Sequence, residues 1–175
     1  MEVLHDQYSN LFKAENISHP TLNNFLNQEN FPKLEDEQRD VIDLPFTKAA
    51  VKHTIYALQG NKTPGFDSIP IEFYWKFSEK LSEILCNMFN DYVVTGMMYE
   101  SAYMGVISLL YKGTGERSLR ENWRPLTLLN VDYKIFAKVL ARRLEKIMTR
   151  LVHPDQTCSV PGRTIRDSYE CSTFC

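Results

Sequence analysis

No apolar run in this chain approaches the ~18 residues that a helix needs to cross a bilayer, which excludes a transmembrane helix. Met1 to Asn10 is polar and mixed in charge, which excludes a secretory signal. Cysteine is scarce, with only Cys86, Cys158, Cys171 and Cys175 among 175 residues. None falls in a C-x-x-C pair and no nearby histidine completes a ligand set, so a zinc ribbon is excluded. Cys171 and Cys175 can share a helix face, but two ligands do not make a site. Free thiols in a reducing compartment fit this usage, and the expectation is an intracellular chain, nuclear or cytoplasmic, rather than a secreted one. Internal repeats and low-complexity segments are also missing. With 43% hydrophobic and 24% charged residues, the chain can bury a core and is not disordered throughout.

Charge is scarce only in the sum. The net charge of −2 conceals an acidic stretch over residues 1–111, with 8 basic and 15 acidic residues, and a basic one over 112–166, with 12 basic and 5 acidic. Such a split suits a phosphate-binding surface, and it equally suits a solvated, lysine-rich helix face.

Residues 1–44 read as an N-terminal extension, broken by Asn16, Asn23, Asn24, Asn27, Asn30, Pro20 and Pro32. From Pro45 the pattern sharpens. Thr47 caps a helix carrying Ala50, Val51, Ile55 and Leu58, which Gly60 is placed to end. Asn61 to Asp67 is turn-rich, and Pro70 suits the start of another helix. Leu81, Ile84, Leu85, Met88, Phe89 and Tyr92 form an amphipathic stripe stopped near Gly96. Met104–Tyr111 and Trp123–Leu129 read as strands joined through Lys112-Gly113-Thr114-Gly115, with Pro125 favouring an edge. Asn130 is placed to cap the longest helix, with the stripe Ile135, Phe136, Val139, Leu140, Leu144, Ile147, Met148 and Leu151. His153-Pro154 ends it. Lys134, Lys138, Arg142, Arg143, Lys146 and Arg150 lie off that stripe, so the helix buries one side and offers positive charge on another. Phe73, Tyr74, Trp75 and Phe77 suit a core or base stacking. The fold class is therefore α+β and helix-rich.

Three ordered segments carry the most information: Asn61–Asp67 with Ile69–Tyr74; Leu109–Gly113, Asn122–Asn130 and Asp132–Ile135; and His153–Gln156 with Pro161–Arg163. Together, over roughly residues 45–167, they resemble the early blocks of reverse transcriptases from non-long-terminal-repeat retrotransposons of the long interspersed element type. The resemblance implies that residues 45–175 form the fingers and the beginning of the palm of a right-hand polymerase, incomplete at this length. It implies RNA template and DNA primer as partners. Lys112 and Arg124 would face nucleotide phosphates, against plainer readings as a solvated turn lysine and a structural ion-pair partner. Lys62, Gly65 and Asp67 would lie near template or primer, as would Gln156 and Arg163. Lys138, Arg142, Arg143 and Lys146 would supply basic surface. Trp123 would pack between fingers and palm. Cys158-Ser159 stands where many family members carry Gly-Phe.

The family holds Mg²⁺ on an aspartate beyond the third block and on a later aspartate pair. This chain contains no Asp-Asp dipeptide, and Asp167 matches the close of the third block rather than the metal ligand. The resemblance therefore implies no catalytic or metal-binding residue within these 175 residues, and no polymerase activity from the chain alone. The alternative is a non-catalytic nucleic-acid-binding or protein-interaction remnant of a retroelement.

Overall fold

The computed structural model describes residues 5–6, 9–10, 12–13, 19–28, 33–153, 156, 160 and 162–164. Pro154, Asp155, Cys158, Ser159, Pro161, Asp167, Cys171 and Cys175 lie outside the described residues. The elements run α1 (His19–Gln28), α2 (Asp36–Asp43), α3 (Lys48–Ala57), α4 (Ile71–Lys76), α5 (Ser78–Thr95), β1 (Gly105–Tyr111), β2 (Trp123–Leu129) and α6 (Val131–Leu151), with short 3-10 turns at Glu100–Tyr103 and Arg120–Asn122. No helix of the described residues is long and apolar enough to cross a membrane. The chain divides into two compact units, Met1–Lys33 with Leu110–Arg124, and Leu34–Leu109 with Pro125–Cys175. The second unit thus begins at Leu34, ahead of the Pro45 boundary that the sequence suggests.

Local chemistry explains the helix limits of this second unit. Thr47 accepts a hydrogen bond from the Ala50 N–H at 3.2 Å, satisfying one donor of the first turn of α3. That helix closes at Ala57, before Gly60. Gly60 serves packing instead, because a Cβ there would lie 2.7 Å from the Trp75 ring. The Trp75 indole in turn donates at 2.8 Å to the Ile55 carbonyl, which near the end of α3 otherwise accepts only the long 3.4 Å bond from the Leu58 N–H. Gly96 ends α5 in the left-handed region at φ 68°, its N–H donating to the Tyr92 carbonyl at 2.9 Å.

The core lies where α3, α5 and α6 meet. Val51, Ile55, Phe89 and Ile135 are fully buried, with Phe46, Leu85, Phe136 and Val139 around them. Phe89 stacks tilted on Phe136 at 5.0 Å between centroids, and Phe46 meets both rings. Burying one such side chain contributes about 1.5–3 kcal/mol, and each aromatic pair about 0.5–1.5 kcal/mol more. One large apolar residue in each of the α5 and α6 stripes is exposed. Ile84 and Leu144 sit on the flanks of their stripes and remain 58% and 46% exposed. The aromatic cluster of α4 also divides. Tyr74 is buried and Trp75 packs on the core, whereas Phe73 and Phe77 lean on each other in solvent at 4.9 Å.

Strands β1 and β2 form a two-stranded sheet. Lys112 N–H donates to the Asn122 carbonyl at 2.7 Å, and Gly105 lies against Thr127 and Leu129, so the pair is antiparallel with 105 opposite 129. Most residues of both strands are exposed. Within the first unit, this register sets Trp123 opposite Tyr111, their rings 5.4 Å apart. Trp123 therefore packs inside the hairpin tip, and its indole donates to the Arg117 carbonyl at 2.9 Å. Asn122 donates to the Glu116 carbonyl at 2.8 Å, and Arg117 lies over the Tyr111 ring.

Candidate nucleic-acid interface

The cations of α6 fall on a row that the sequence already carries: Lys134, Lys138, Arg142, Lys146 and Arg150 recur every fourth residue. Neighbours in such a row are ~6 Å apart along the axis and turned by ~40° about it, so the row winds gradually around α6. Among the described residues, no ion pair neutralises the first four, and Arg150 meets Glu35 at 3.8 Å. Each like-charged i,i+4 pair costs about 0.2–0.5 kcal/mol, so this row is tolerated rather than stabilising. On α3 the pattern is opposite. Lys48 pairs with Glu83 at 3.3 Å, and Lys52 pairs with Glu79, toward α5. Hydrogen bonding to Glu79 raises the Lys52 pKa, and the same bond lowers that of Glu79.

Beside the start of the α6 row is a cleft of about 590 Å³. Its cations are Lys62, Lys134 and Lys138; its floor is Leu58, Ile71, Leu128 and Val131; no carboxylate lines it. Three lysine ammonium groups converge from a loop and a helix far apart in sequence. The loop is held by the residues expected to touch template or primer. Gly65 rests so close to α6 that a Cβ would come within 2.4 Å of the Asn130 backbone nitrogen. The Asp67 carboxylate accepts from the Ile69 N–H at 3.0 Å, closing the turn. Gly65 and Asp67 thus build the loop, and exposed Lys62 carries its charge to the cleft.

Asn130 stands at the N-cap of α6, yet its side chain makes no cap bond. It is buried, accepting from the Asp67 N–H at 3.3 Å and donating to the Ser101 carbonyl at 3.3 Å. The expected cap is instead a tie between three segments, because the buried Asn130 amide needs partners and finds them on backbone outside the helix. Next to it, burial raises the pKa of the Asp132 carboxyl, opposed by the Tyr133 N–H that donates to it at 2.7 Å. Burial also raises the pKa of the Tyr74 phenol, with Asp132 adding to the effect.

Two arginines expected on the nucleic-acid surface face protein. Arg143 donates to the Ile42 carbonyl at 2.9 Å and lies 4.1 Å over the Phe46 ring, and burial lowers its pKa. It fastens α2 to α6. Arg163 donates to the carbonyls of Thr149 and Val152 at 2.9 and 3.0 Å, and to those of His153 and Gln156 at 2.7 and 3.0 Å. Its guanidinium caps the C-terminus of α6, where open carbonyls favour a cation. Gln156 is exposed and joins this cap through its backbone carbonyl. Arg142 is half-buried and Lys146 exposed, both on the α6 row.

Lys112 and Arg124 belong to the other unit. Both are exposed, and the register places them on one face of the hairpin as diagonal neighbours. Among the described residues no carboxylate pairs with either. Among the described residues, no three of His, Cys, Asp or Glu are grouped to bind an ion.

No family model matches the chain. The Transposon TX1 uncharacterized 149 kDa protein of Xenopus laevis is 33% identical to it over 161 residues, covering 92% of this chain and 12% of that protein. The chain thus spans a small part of this relative's length, and the likeness supports a transposon origin for it.

Proposed function

We propose that the chain is the fingers and beginning of the palm of a non-long-terminal-repeat retrotransposon reverse transcriptase, and that it binds the backbone of an RNA template paired with a DNA primer. The observation that carries this reading is the carboxylate-free cleft where Lys62 meets Lys134 and Lys138. Lys62 comes from the first family-like block, Lys134 from the end of the second, and Lys138 from the helix between the second and third. Lysine supplies mobile point charge, which suits phosphates whose positions vary with sequence. The likeness to a transposon protein supports the same reading. The sequence contains no Asp-Asp dipeptide, and this reading assigns nucleotide transfer to no residue here.

Filter binding of an RNA–DNA hybrid at low and high salt tests this proposal. Retention at low salt that falls steeply with added salt is expected. Absence of retention at low salt overturns it. In the same samples, added Mg²⁺ and nucleotides should leave the primer unextended, and extension above a no-protein control contradicts that part. A second reading, docking of a protein, draws on the exposed apolar residues Val106, Ile107 and Leu126 of the hairpin. Complexes that persist through nuclease treatment favour it; complexes that dissolve count against it.

A further inference from the structure

Beyond the lysine cleft, α3 and α6 enclose a second one, about 470 Å³, lined by His53, Thr54, Arg142, Arg143, Lys146 and the single carboxylate Glu145. Its centre is Arg142. One guanidinium nitrogen donates to His53 Nδ1 at 2.6 Å and to Thr54 Oγ1 at 3.3 Å. Thr54 is itself buried, and its hydroxyl donates to the Ala50 carbonyl at 2.9 Å, so its oxygen is fixed in place to accept. A half-buried arginine ordinarily takes a carboxylate partner. This one takes an imidazole nitrogen and a hydroxyl oxygen, which orient the fork, and among the described residues no carboxylate forms an ion pair with it. The guanidinium of the neighbouring Arg143 is turned away from this cleft, toward the Ile42 carbonyl and the Phe46 ring, with the charge of Asp43 acting on it as well. Arginine has five donors, and those not turned toward His53 and Thr54 remain for a bidentate anion.

The two clefts lie in sequence along the same helix pair. Ala57 and Leu58 of the α3 end flank Lys134 and Lys138, and Ala50 to Thr54 flank Arg142 and Lys146. Lys134 to Lys146 spans ~18 Å of helix in steps of ~6 Å. That step is of the order of the separation between successive phosphates along a nucleic-acid strand. We propose that the Arg142–His53–Lys146 cleft is a second phosphodiester site, and that one strand runs along the α3–α6 groove with consecutive phosphates on Lys134, Lys138, Arg142 and Lys146. The inference rests on the nucleic-acid reading above and adds to it the ligand's path, its single-strand footprint and a role for His53 in aiming Arg142. Contacts of this kind are to the backbone and carry no base preference.

The test is fluorescence anisotropy of labelled single-stranded oligonucleotides of increasing length, read against salt, on the 175-residue chain. The variants are Lys146→Ala, Arg142→Lys, the pair together, and Lys62→Ala/Lys134→Ala/Lys138→Ala. Lys146 is exposed and Arg142→Lys keeps the charge, so both should preserve the far-ultraviolet spectrum and melting transition. The pair should weaken binding roughly tenfold, and Lys146→Ala should reduce the log–log salt slope by about 0.7, one single-strand phosphate contact. Loss of binding in the triple variant, with slope and affinity unchanged in the Arg142 and Lys146 variants, overturns the second site and leaves the lysine cleft standing. Failure of the unaltered chain to bind any oligonucleotide overturns both. Equal competition by free pyrophosphate and by an oligonucleotide at matched phosphate concentration overturns the strand, reducing the cleft to an isolated anion site.

Discussion

The groove between α3 and α6 and the tip of the β1–β2 hairpin both present cations, but they hold them differently. Lys134, Lys138 and Lys146 ride on a helix anchored in the core by their buried neighbours Ile135, Val139 and Ile147. Lys112 and Arg124 ride on strands that are exposed on both faces, where order comes from the tip's own contacts among Tyr111, Trp123, Arg117 and Asn122. Charge mounted on a packed helix is positioned before a ligand arrives; charge on an exposed hairpin shares the hairpin's lower local stability. The contrast teaches that two basic patches of similar composition need not serve a polyanion equally.

The comparison breaks most completely at Phe89. Phe89→Ala removes the ring that joins Phe46, Phe136 and Tyr92. It should cost about 3–5 kcal/mol in a urea titration followed by circular dichroism. A loss under about 1 kcal/mol would mean that α6 does not owe its position to this cluster. Gly65→Ala is the next largest. Its Cβ cannot fit against Leu129 and Asn130, so the loop bearing Lys62 must shift, at about 1–3 kcal/mol. Weakened nucleic-acid binding should accompany the shift, and full affinity would separate the loop from the cleft.

Trp123→Ala sharpens the other side of the comparison. It deletes an aromatic pair worth about 0.5–1.5 kcal/mol and the bond to the Arg117 carbonyl. Hydrogen exchange should quicken for amides of residues 112–122 and stay slow in α5 and α6. Faster exchange throughout would show that the hairpin is not an independent layer of stability. The smallest effect concerns pH. Burial raises the Asp132 pKa, so the folded state keeps this proton over a window where the unfolded chain has lost it. Stability from this group is therefore greatest below the unfolded value and declines as pH rises through the folded one. Asp132→Asn should flatten that decline and melt slightly higher than the parent above the window. A lower melting point at neutral pH would mean that the carboxylate's bond to the Tyr133 N–H outweighs its burial.

Much of this architecture is legible in the residues. The cap at Thr47, the stop at Gly96 and the apolar stripes of α5 and α6 are local signals, and the helices follow them. The every-fourth spacing of the α6 cations is also present in the sequence, although a reading that only separates them from the apolar stripe misses their alignment. What escapes is the partner of each polar group. Nothing near Arg163 announces that it reaches back ten to fourteen residues to cap α6. Nothing near Arg143 names Phe46 or the Ile42 carbonyl, about a hundred residues away. Asn130 looks like a cap because its position is one, whereas its side chain answers to Asp67 and Ser101. His53, a lone histidine on a helix, gains meaning only when Arg142 lies against it.

The central claim is that the helical groove, rather than the hairpin, holds the nucleic-acid backbone. The most direct measurement is the salt dependence of affinity for an RNA–DNA hybrid in the parent, in Lys134→Ala/Lys138→Ala and in Lys112→Ala/Arg124→Ala. The groove pair should lower affinity at least tenfold and reduce the salt slope by about 1.5–2, while the hairpin pair leaves both near the parent's values. An unchanged slope in the groove pair, with the loss appearing in the hairpin pair instead, would contradict it.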